Sequence, residues 1–296
     1  MRADGDKEIA CRIKGKLRLK GMRTTNPLAV GDVVYFELEK SGQGIITDLE
    51  PRKNHLIRRS VNLSKREHLI AANIDLALLM VTVDNPVTLT GFIDRFLVSV
   101  GAYHIPAVIL INKKDAFTES SEAVAQDWKK VYSKIGYPVD IISVSDKKDV
   151  ARVKKLIKGK VIVISGHSGV GKSSLINAIN PELDLQTGEI SEAHGTGTHK
   201  TTFSEMFEIM PYTFVIDTPG IKSLGVIDID KQNLSHYFPE FLARIPACKF
   251  NNCLHKNEPS CAVKKALDDG EIQDWRYRNY LDILESEAEN YRGLDY

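Results

Sequence analysis

Residues 161–173 read VIVISGHSGVGKS, and the fold turns on how that stretch is read. Val161-Ile162-Val163-Ile164 is an unbroken run of β-branched residues, the signature of a buried strand. Residues 166–173, GHSGVGKS, then fit G-x-x-x-x-G-K-[ST], and Ser174 to Ile179 continue as a helix. Strand, glycine-rich turn and helix in that order make the match specific. Gly166, Gly169 and Gly171 let backbone N–H groups turn inward around phosphate oxygens. The helix start adds the positive end of its dipole. Lys172 is placed to reach the β- and γ-phosphates and Ser173 to ligate Mg²⁺, while His167, Ser168, Val170 and Ser174 complete the cradle.

Downstream, the apolar strand Phe214 to Ile216 runs into Asp217-Thr218-Pro219-Gly220. A carboxylate at a strand end can hold Mg²⁺ through water, and Gly220 can offer its N–H to a γ-phosphate. Between the two motifs lies GTGTHKTT, residues 195–202. A Gly-rich loop carrying Thr201 and Thr202 is a natural switch, because a Thr hydroxyl can close on Mg²⁺ when the γ-phosphate is present.

Upstream, Asn112-Lys113-Lys114-Asp115 follows the strand Val108 to Ile111 and fits N-K-x-D. The Asp115 carboxylate can accept from both N1–H and the 2-amino group of guanine, a pattern adenine does not offer. Asn112 can contact the base edge or hold the loop, and Lys113 can lay its stem over the ring. Ser143-Val144-Ser145, after a further strand, fits the companion loop beside guanine O6. The base-reading pair therefore precedes the phosphate half, the reverse of the usual chain order. Strand ends can still meet in space, so the arrangement is a circular permutation. It leaves the DTPG segment adjoining whatever follows.

Around these motifs strands alternate with helices. Leu76 to Val83, Val108 to Ile111 and Val139 to Val144 read as strands, and Phe92 to Val100, Glu119 to Lys134 and Val150 to Ile157 as helices. That rhythm predicts an α/β domain with a mostly parallel sheet covered on both faces. Residues 1–50 differ. Ile9 to Ile13, Lys16 to Leu19, Val33 to Leu38 and Gly44 to Leu49 are short strands, broken by Pro27, Gly31, Asp32 and Ser41-Gly42. A small OB-like β-barrel is the expectation. After residue 227 the strand pattern stops.

With 43% hydrophobic and 27% charged residues, composition is ordinary for a globular chain and excludes wholesale disorder, collagen and coiled coil. No stretch approaches the ~20 apolar residues of a membrane span. The start, MRADGDKEIA, has no apolar core of a secretory signal. The net charge of +1 taken alone argues against nucleic acid. Residues 1–66, however, carry 15 Lys/Arg against 8 Asp/Glu, a net of +7, and the remainder is acidic. Arg12, Lys14, Lys16, Arg18, Lys20 and Arg23 crowd one stretch, and Arg58, Arg59, Lys65 and Arg66 another. The asymmetry fits a polyanion-binding end or a solvated basic face.

Cys248, Cys253, His255 and Cys261 read C-x4-C-x-H-x5-C. Three thiolates and an imidazole so closely spaced match a closed structural Zn²⁺ site. Cys11 stands apart as a core residue. Trp275, Arg276, Tyr277, Arg278 and Tyr280 mix basic and aromatic side chains that could bind RNA or pack on the zinc module.

NKKD, SVS, GHSGVGKS, GTHKTT and DTPG in permuted order, followed by CKFNNCLHKNEPSCAVK, resemble the ribosome small-subunit-dependent GTPase A family (RsgA, also called YjeQ). The resemblance covers essentially the whole chain. It implies an OB-like RNA-binding domain over 1–58, a circularly permuted P-loop GTPase domain over 59–227 and a zinc-binding, mainly helical domain over 228–296. It implies a cytoplasmic, monomeric GTPase that acts in late 30S maturation, stimulated by that subunit and in contact with 16S rRNA. By motif, Asn112, Lys113, Asp115 and Ser143 to Ser145 would read guanine of GTP or GDP. Gly166 to Ser174 would bind phosphates, with Ser173 and Asp217 on Mg²⁺. Thr201, Thr202 and Asp217 to Gly220 would be switch elements, and Cys248, Cys253, His255 and Cys261 would hold Zn²⁺. Ile221 stands where many GTPases carry a water-orienting Gln, so hydrolysis must borrow a group, and His199 is the candidate, though an exposed loop His is an equal reading. Lys200 replaces a common third Thr. The family's first barrel strand normally precedes the region of Ile9 to Ile13, so this chain is expected to begin almost inside the barrel. Two other readings stand beside this one: a non-catalytic, GTP-dependent rRNA-binding scaffold, and an ATP-using P-loop protein.

Overall fold

The computed structural model describes residues 8–13, 28–59, 67–185, 204–217 and 229–292. Near the N-terminus, β1 (Cys11–Ile13), β2 (Val34–Leu38) and β3 (Gly44–Leu49) form a three-stranded sheet in the order β1-β3-β2. β4 (His55–Arg59) and β5 (Glu67–Ala72) pair antiparallel, so the hairpin straddles the expected boundary at 58/59. Lys16 to Leu19 and the basic residues between 14 and 23 lie outside the described residues.

The two parts are fastened by polar groups. Arg52 grips Asp32 through two hydrogen bonds of 2.6 and 2.7 Å, both side chains being buried. Asn54 exchanges two 2.8 Å bonds with the backbone of Ile74, at the entrance to the next sheet.

That sheet is the centre of the molecule. β6 (Leu76–Val81), β7 (Ala107–Ile111), β8 (Val139–Ile141), β9 (Val161–Ser165), β10 (Glu205–Met210) and β11 (Thr213–Asp217) lie in the order β10-β11-β9-β6-β7-β8. All neighbours are parallel except β10 with β11. Every residue of β6 and β7 is buried, as expected of apolar strands covered on both faces. Alternation divides them. Ala77, Leu79 and Val81 face α1 (Thr90–Ala102) and α2 (Glu119–Lys134), in one core with Ile93, Leu97, Trp128 and Tyr132. Leu76, Leu78 and Met80 face α3 (Lys147–Ile157) and α4 (Lys172–Ile179), in a second core with Val153, Ile157, Leu175 and Ile176. The expected strand Val139 to Val144 stops at Ile141, because Ser143 to Ser145 turn into a hydrogen-bonded loop.

The C-terminal part holds α5 (Lys231–Leu234), α6 (Pro239–Leu242), α7 (Ala262–Asp268) and α8 (Asp274–Arg292), with no strand among its described residues. Phe238, Phe241, Tyr280 and Ile283 make a third core, which Val98 of α1 also enters. Beside it lies a buried polar knot. Asp94 of α1 accepts from Arg276 at 2.5 Å, Asn279 at 2.6 Å and the Tyr132 hydroxyl at 2.7 Å. Arg276 also bonds Glu240 at 2.7 and 3.0 Å and lies over the Phe238 ring. Burial pushes the Asp94 carboxyl up, against the opposing pull of the Arg276 cation. The basic-aromatic run is thus chiefly packing: Arg276 and Tyr280 are buried and Trp275 tilts onto Tyr132, leaving Arg278 exposed.

Arg276→Met would leave Asp94 and Glu240 buried without a cation. The expected cost in urea unfolding is about 3–5 kcal/mol. A loss below about 1 kcal/mol would mean that the two carboxylates need no cation there.

Candidate functional site

The glycine-rich turn leaves β9 at Ser165 and enters α4 at Lys172. Two of its glycines are required by space as well as by backbone angle. At Gly166 (φ +144°) a Cβ would sit 2.2 Å from the Met80 carbonyl oxygen of β6. At Gly171 (φ +104°) it would sit 2.5 Å from Asn112 Nδ2. Lys172 is buried, and its Nζ donates to the carbonyls of Gly166 and His167 at 2.8 Å each. Ser173 is buried and Ser174 half-buried at the helix start, Val170 is buried, and Ser168 and Gly169 are exposed at the tip. The His167 ring stacks on Phe92 of α1 with centroids 4.0 Å apart. Burial and the neighbouring Lys172 cation lower the His167 pKa, which favours a neutral ring.

The base-side loops meet this turn through one residue. Asn112 is fully buried; its Nδ2 donates to the Val170 carbonyl at 2.8 Å and its Oδ1 accepts from Val144 N–H at 3.2 Å. Both polar atoms of the Asn112 side chain thus bond loop backbone. Lys113 adopts the left-handed conformation (φ +69°) and donates to the Asn85 carbonyl at 2.7 Å. Asp115 is exposed beside it. Ser143 N–H donates to Asp149 Oδ2 at 2.7 Å, and Ser145 N–H to Ser143 Oγ at 3.2 Å. Asn112, Ser143, Val144, Val170 and Gly171 are therefore one cluster despite their distance in the chain.

Asp217 ends β11, with its backbone paired to Glu205. His199, Thr201, Thr202, Gly220 and Ile221 lie outside the described residues.

Sequence reasoning passed over three contributors: Phe92, Lys114 and Asp149. Burial pushes the Asp149 carboxyl up, but hydrogen bonds from Lys114, Ser143 N–H and Arg152 outweigh it and hold the group below its ordinary range. In the chain it looks only like an acid in a helix's first turn, a common dipole complement.

The second cluster is built on turns and on α8. The ligand atoms of Cys248, Cys253, His255 and Cys261 all lie within 4.8 Å of one another, with His255 Nδ1 3.3 Å from Cys261 Sγ and 3.7 Å from Cys248 Sγ. A tetrahedron of ~2.3 Å metal–sulfur bonds has edges of roughly 3.8 Å. The Glu258 carboxylate folds the knuckle by accepting N–H bonds from Leu254, Lys256 and Asn257 at 2.8–3.0 Å. Tyr277 and Tyr280 of α8 donate to the carbonyls of His255 and Leu254 at 2.7 and 2.8 Å. Burial pushes the Cys253 thiol up to about 12 and the His255 imidazole down. A soft divalent cation would reverse the thiol penalty and use the neutral imidazole, so the donor set fits zinc.

Among the described residues no helix is long and apolar enough to cross a membrane. The RsgA N-terminal domain model matches residues 3–46 and the RsgA GTPase model residues 49–227. The "Small ribosomal subunit biogenesis GTPase RsgA" of Christiangramia forsetii is 50% identical over all of this chain and 95% of its own length. The protein of the same name from Bacteroides fragilis is 47% identical over 98% of this chain and 93% of its own. Among solved structures, YjeQ from Thermotoga maritima superposes with a TM-score of 0.79 at 35% identity, over 96% of this chain and 91% of its own. YloQ, described as a circularly permuted GTPase, superposes at 0.74 and 31% identity, over 97% and 89%.

Gly171→Ala forces a side chain into Asn112 at a backbone angle that disfavours it. Fluorescent guanine-nucleotide titration is expected to show about tenfold or greater loss of affinity, since left-handed strain alone costs ~1–2 kcal/mol. Unchanged affinity would mean that the Asn112 contact is not needed for binding.

Proposed function

The chain belongs to the RsgA GTPase family, and from that premise and the site geometry we propose that it hydrolyses GTP to GDP and phosphate while engaged with the small ribosomal subunit. One observation carries the reading: the Asn112 carboxamide joins the phosphate loop at Val170 to the companion loop at Val144. A single buried side chain thereby sets the distance between loops that a guanine nucleotide must span. Asp115 accepts from N1–H and the 2-amino group, and Ser143 to Ser145 face the 6-oxo group. Gly166 to Ser174 wrap the phosphates, with Lys172 exchanging its two carbonyl partners for phosphate oxygens. Ser173 and Asp217 would hold Mg²⁺, which supplies charge neutralisation across the β- and γ-phosphates.

Thr201, Thr202 and Gly220 serve as switch groups. Ile221 has no side-chain atom that could orient water, so His199 is assigned that role. Cys248, Cys253, His255 and Cys261 would hold a structural zinc, whose four protein donors would leave no position for catalysis. The relatives are named for small-subunit biogenesis, which supplies the partner. We extend it to 16S rRNA, met first by the basic N-terminal end, in late 30S maturation in the cytoplasm by a monomer. We place the domain division at 1–58, 59–227 and 228–296, with the β4–β5 pairing spanning the first boundary.

GTP turnover measured with and without purified 30S subunits at low salt is expected to rise with the subunits; no stimulation would sink the ribosome-coupled reading. His199→Ala is expected to lower the stimulated turnover by about 10²-fold while sparing nucleotide affinity. Unchanged turnover would remove His199 from the mechanism.

A further inference from the structure

Lys114 and Asp149 brace the two base-side loops from beneath. Lys114 stands between Lys113 and Asp115, and its Nζ meets Asp149 Oδ2 at 2.5 Å and Asp146 Oδ2 at 3.3 Å. Its backbone N–H also donates to the Ile142 carbonyl at 3.2 Å, just ahead of the companion loop. The Asp149 side chain is 1% exposed. The oxygen that meets Lys114 also accepts Ser143 N–H, while Oδ1 accepts from Arg152 at 2.7 Å. Arg152 in turn bonds Asp140 of the edge strand β8 at 3.0 and 3.2 Å. The first residue of the companion loop is thus pinned to a buried carboxylate, and part of the balancing charge comes from the loop that carries Asp115.

The next two residues are held less tightly. Val144 N–H and Ser145 N–H make bonds of 3.2 Å, the long end of the N–H···O range. Val144 N–H stays on Asn112, whereas a small rotation would re-aim Ser145 N–H from the neighbouring Ser143 hydroxyl at an incoming carbonyl oxygen. Its position then depends on where Ser143 is fixed.

On the guanine-nucleotide reading above, we propose that Lys114 and Asp149 are positioning residues for purine recognition. The ion pair sets the companion loop at the height where Ser145 N–H meets the purine 6-oxo oxygen while Asp115 meets the N1–H and 2-amino edge. Neither residue touches the nucleotide in this arrangement. Recognition of the two edges of one base is coupled through a single carboxylate. The variable position of N-K-x-D is therefore part of the specificity apparatus in this chain.

The test is equilibrium titration of the full-length protein with GDP, IDP, 6-thio-GDP and ADP. IDP lacks the 2-amino group. 6-thio-GDP keeps that edge but replaces the 6-oxo oxygen by sulfur, a poorer acceptor. Wild type is expected to prefer GDP over both. Lys114→Met and Asp149→Asn are expected to reduce the preference for GDP over 6-thio-GDP by roughly tenfold, the worth of one good hydrogen bond. The GDP-to-IDP ratio should stay as in wild type, and Lys114→Arg should restore the lost preference. Lys114 is about one-third exposed, so Lys114→Met decides the matter alone if Asp149→Asn does not fold. Equal weakening of all four nucleotides, no change, or a wild type that binds GDP and 6-thio-GDP alike would overturn the proposal. A wild type with no preference for GDP over ADP would instead overturn the guanine reading itself.

Discussion

Much of this molecule depends on one carboxamide. Asn112 is buried at the end of β7, and both its polar atoms are spent on backbone, Val170 on one side and Val144 on the other. A buried amide left half-satisfied would cost about 1–3 kcal/mol, so the three loops settle where both bonds can form. The constraint reaches further. The space Asn112 occupies excludes a Cβ at residue 171, which makes glycine obligatory where the phosphate turn enters its helix. The permuted chain order raises the importance of this contact. The base-reading half is threaded before the phosphate half, and Asn112 and Val170 are separated by 58 positions. Their register is therefore fixed by side-chain bonding across strand ends, as well as by the parallel sheet beneath.

The parts legible in the chain were those whose physics is local. A β-branched run, three spaced glycines and a Lys-Ser pair fix a strand, a turn and a helix start within a few residues of one another. Hydrophobic periodicity gave α2 its observed bounds and located α1, α3 and β9. The Cys and His spacing gave a ligand set whose atoms do converge. Non-local features were invisible. β4 and β5 have only short apolar runs, Leu56-Ile57 and Leu69 to Ala72, flanked by His55, Arg58, Arg59, Glu67 and His68, so neither reads as a strand until each pairs with the other. β10 is similarly disguised, with Glu205 and Glu208 in an edge strand. Asp149 gave no hint of its partners, because Lys114 lies in another motif. Arg276 could be read equally as an RNA contact or as packing, because its two carboxylate partners, Asp94 and Glu240, are far away in sequence.

Aromatic residues of α8 show how burial redistributes roles that composition alone leaves open. Tyr277 and Tyr280 spend their hydroxyls on the carbonyls of the cysteine knuckle and their rings on Phe241. Each fills space at one end and satisfies a backbone acceptor at the other, the usual way a tyrosine is accommodated in a core. The knuckle is thus shaped by an aromatic shelf and by the Glu258 carboxylate as well as by its four donor atoms.

Helix α1 is a party wall. One side closes the core of the central sheet, while Val98 and the Asp94 carboxylate belong to the C-terminal core and its polar knot. Exchange of the last 70 or so residues for a module from another protein would therefore be a transplant with a tissue-matching requirement. The incoming module must bring a cation to Asp94 and an apolar patch to Val98, or the nucleotide half is left with a raw face. The C-terminal part is therefore no interchangeable cassette.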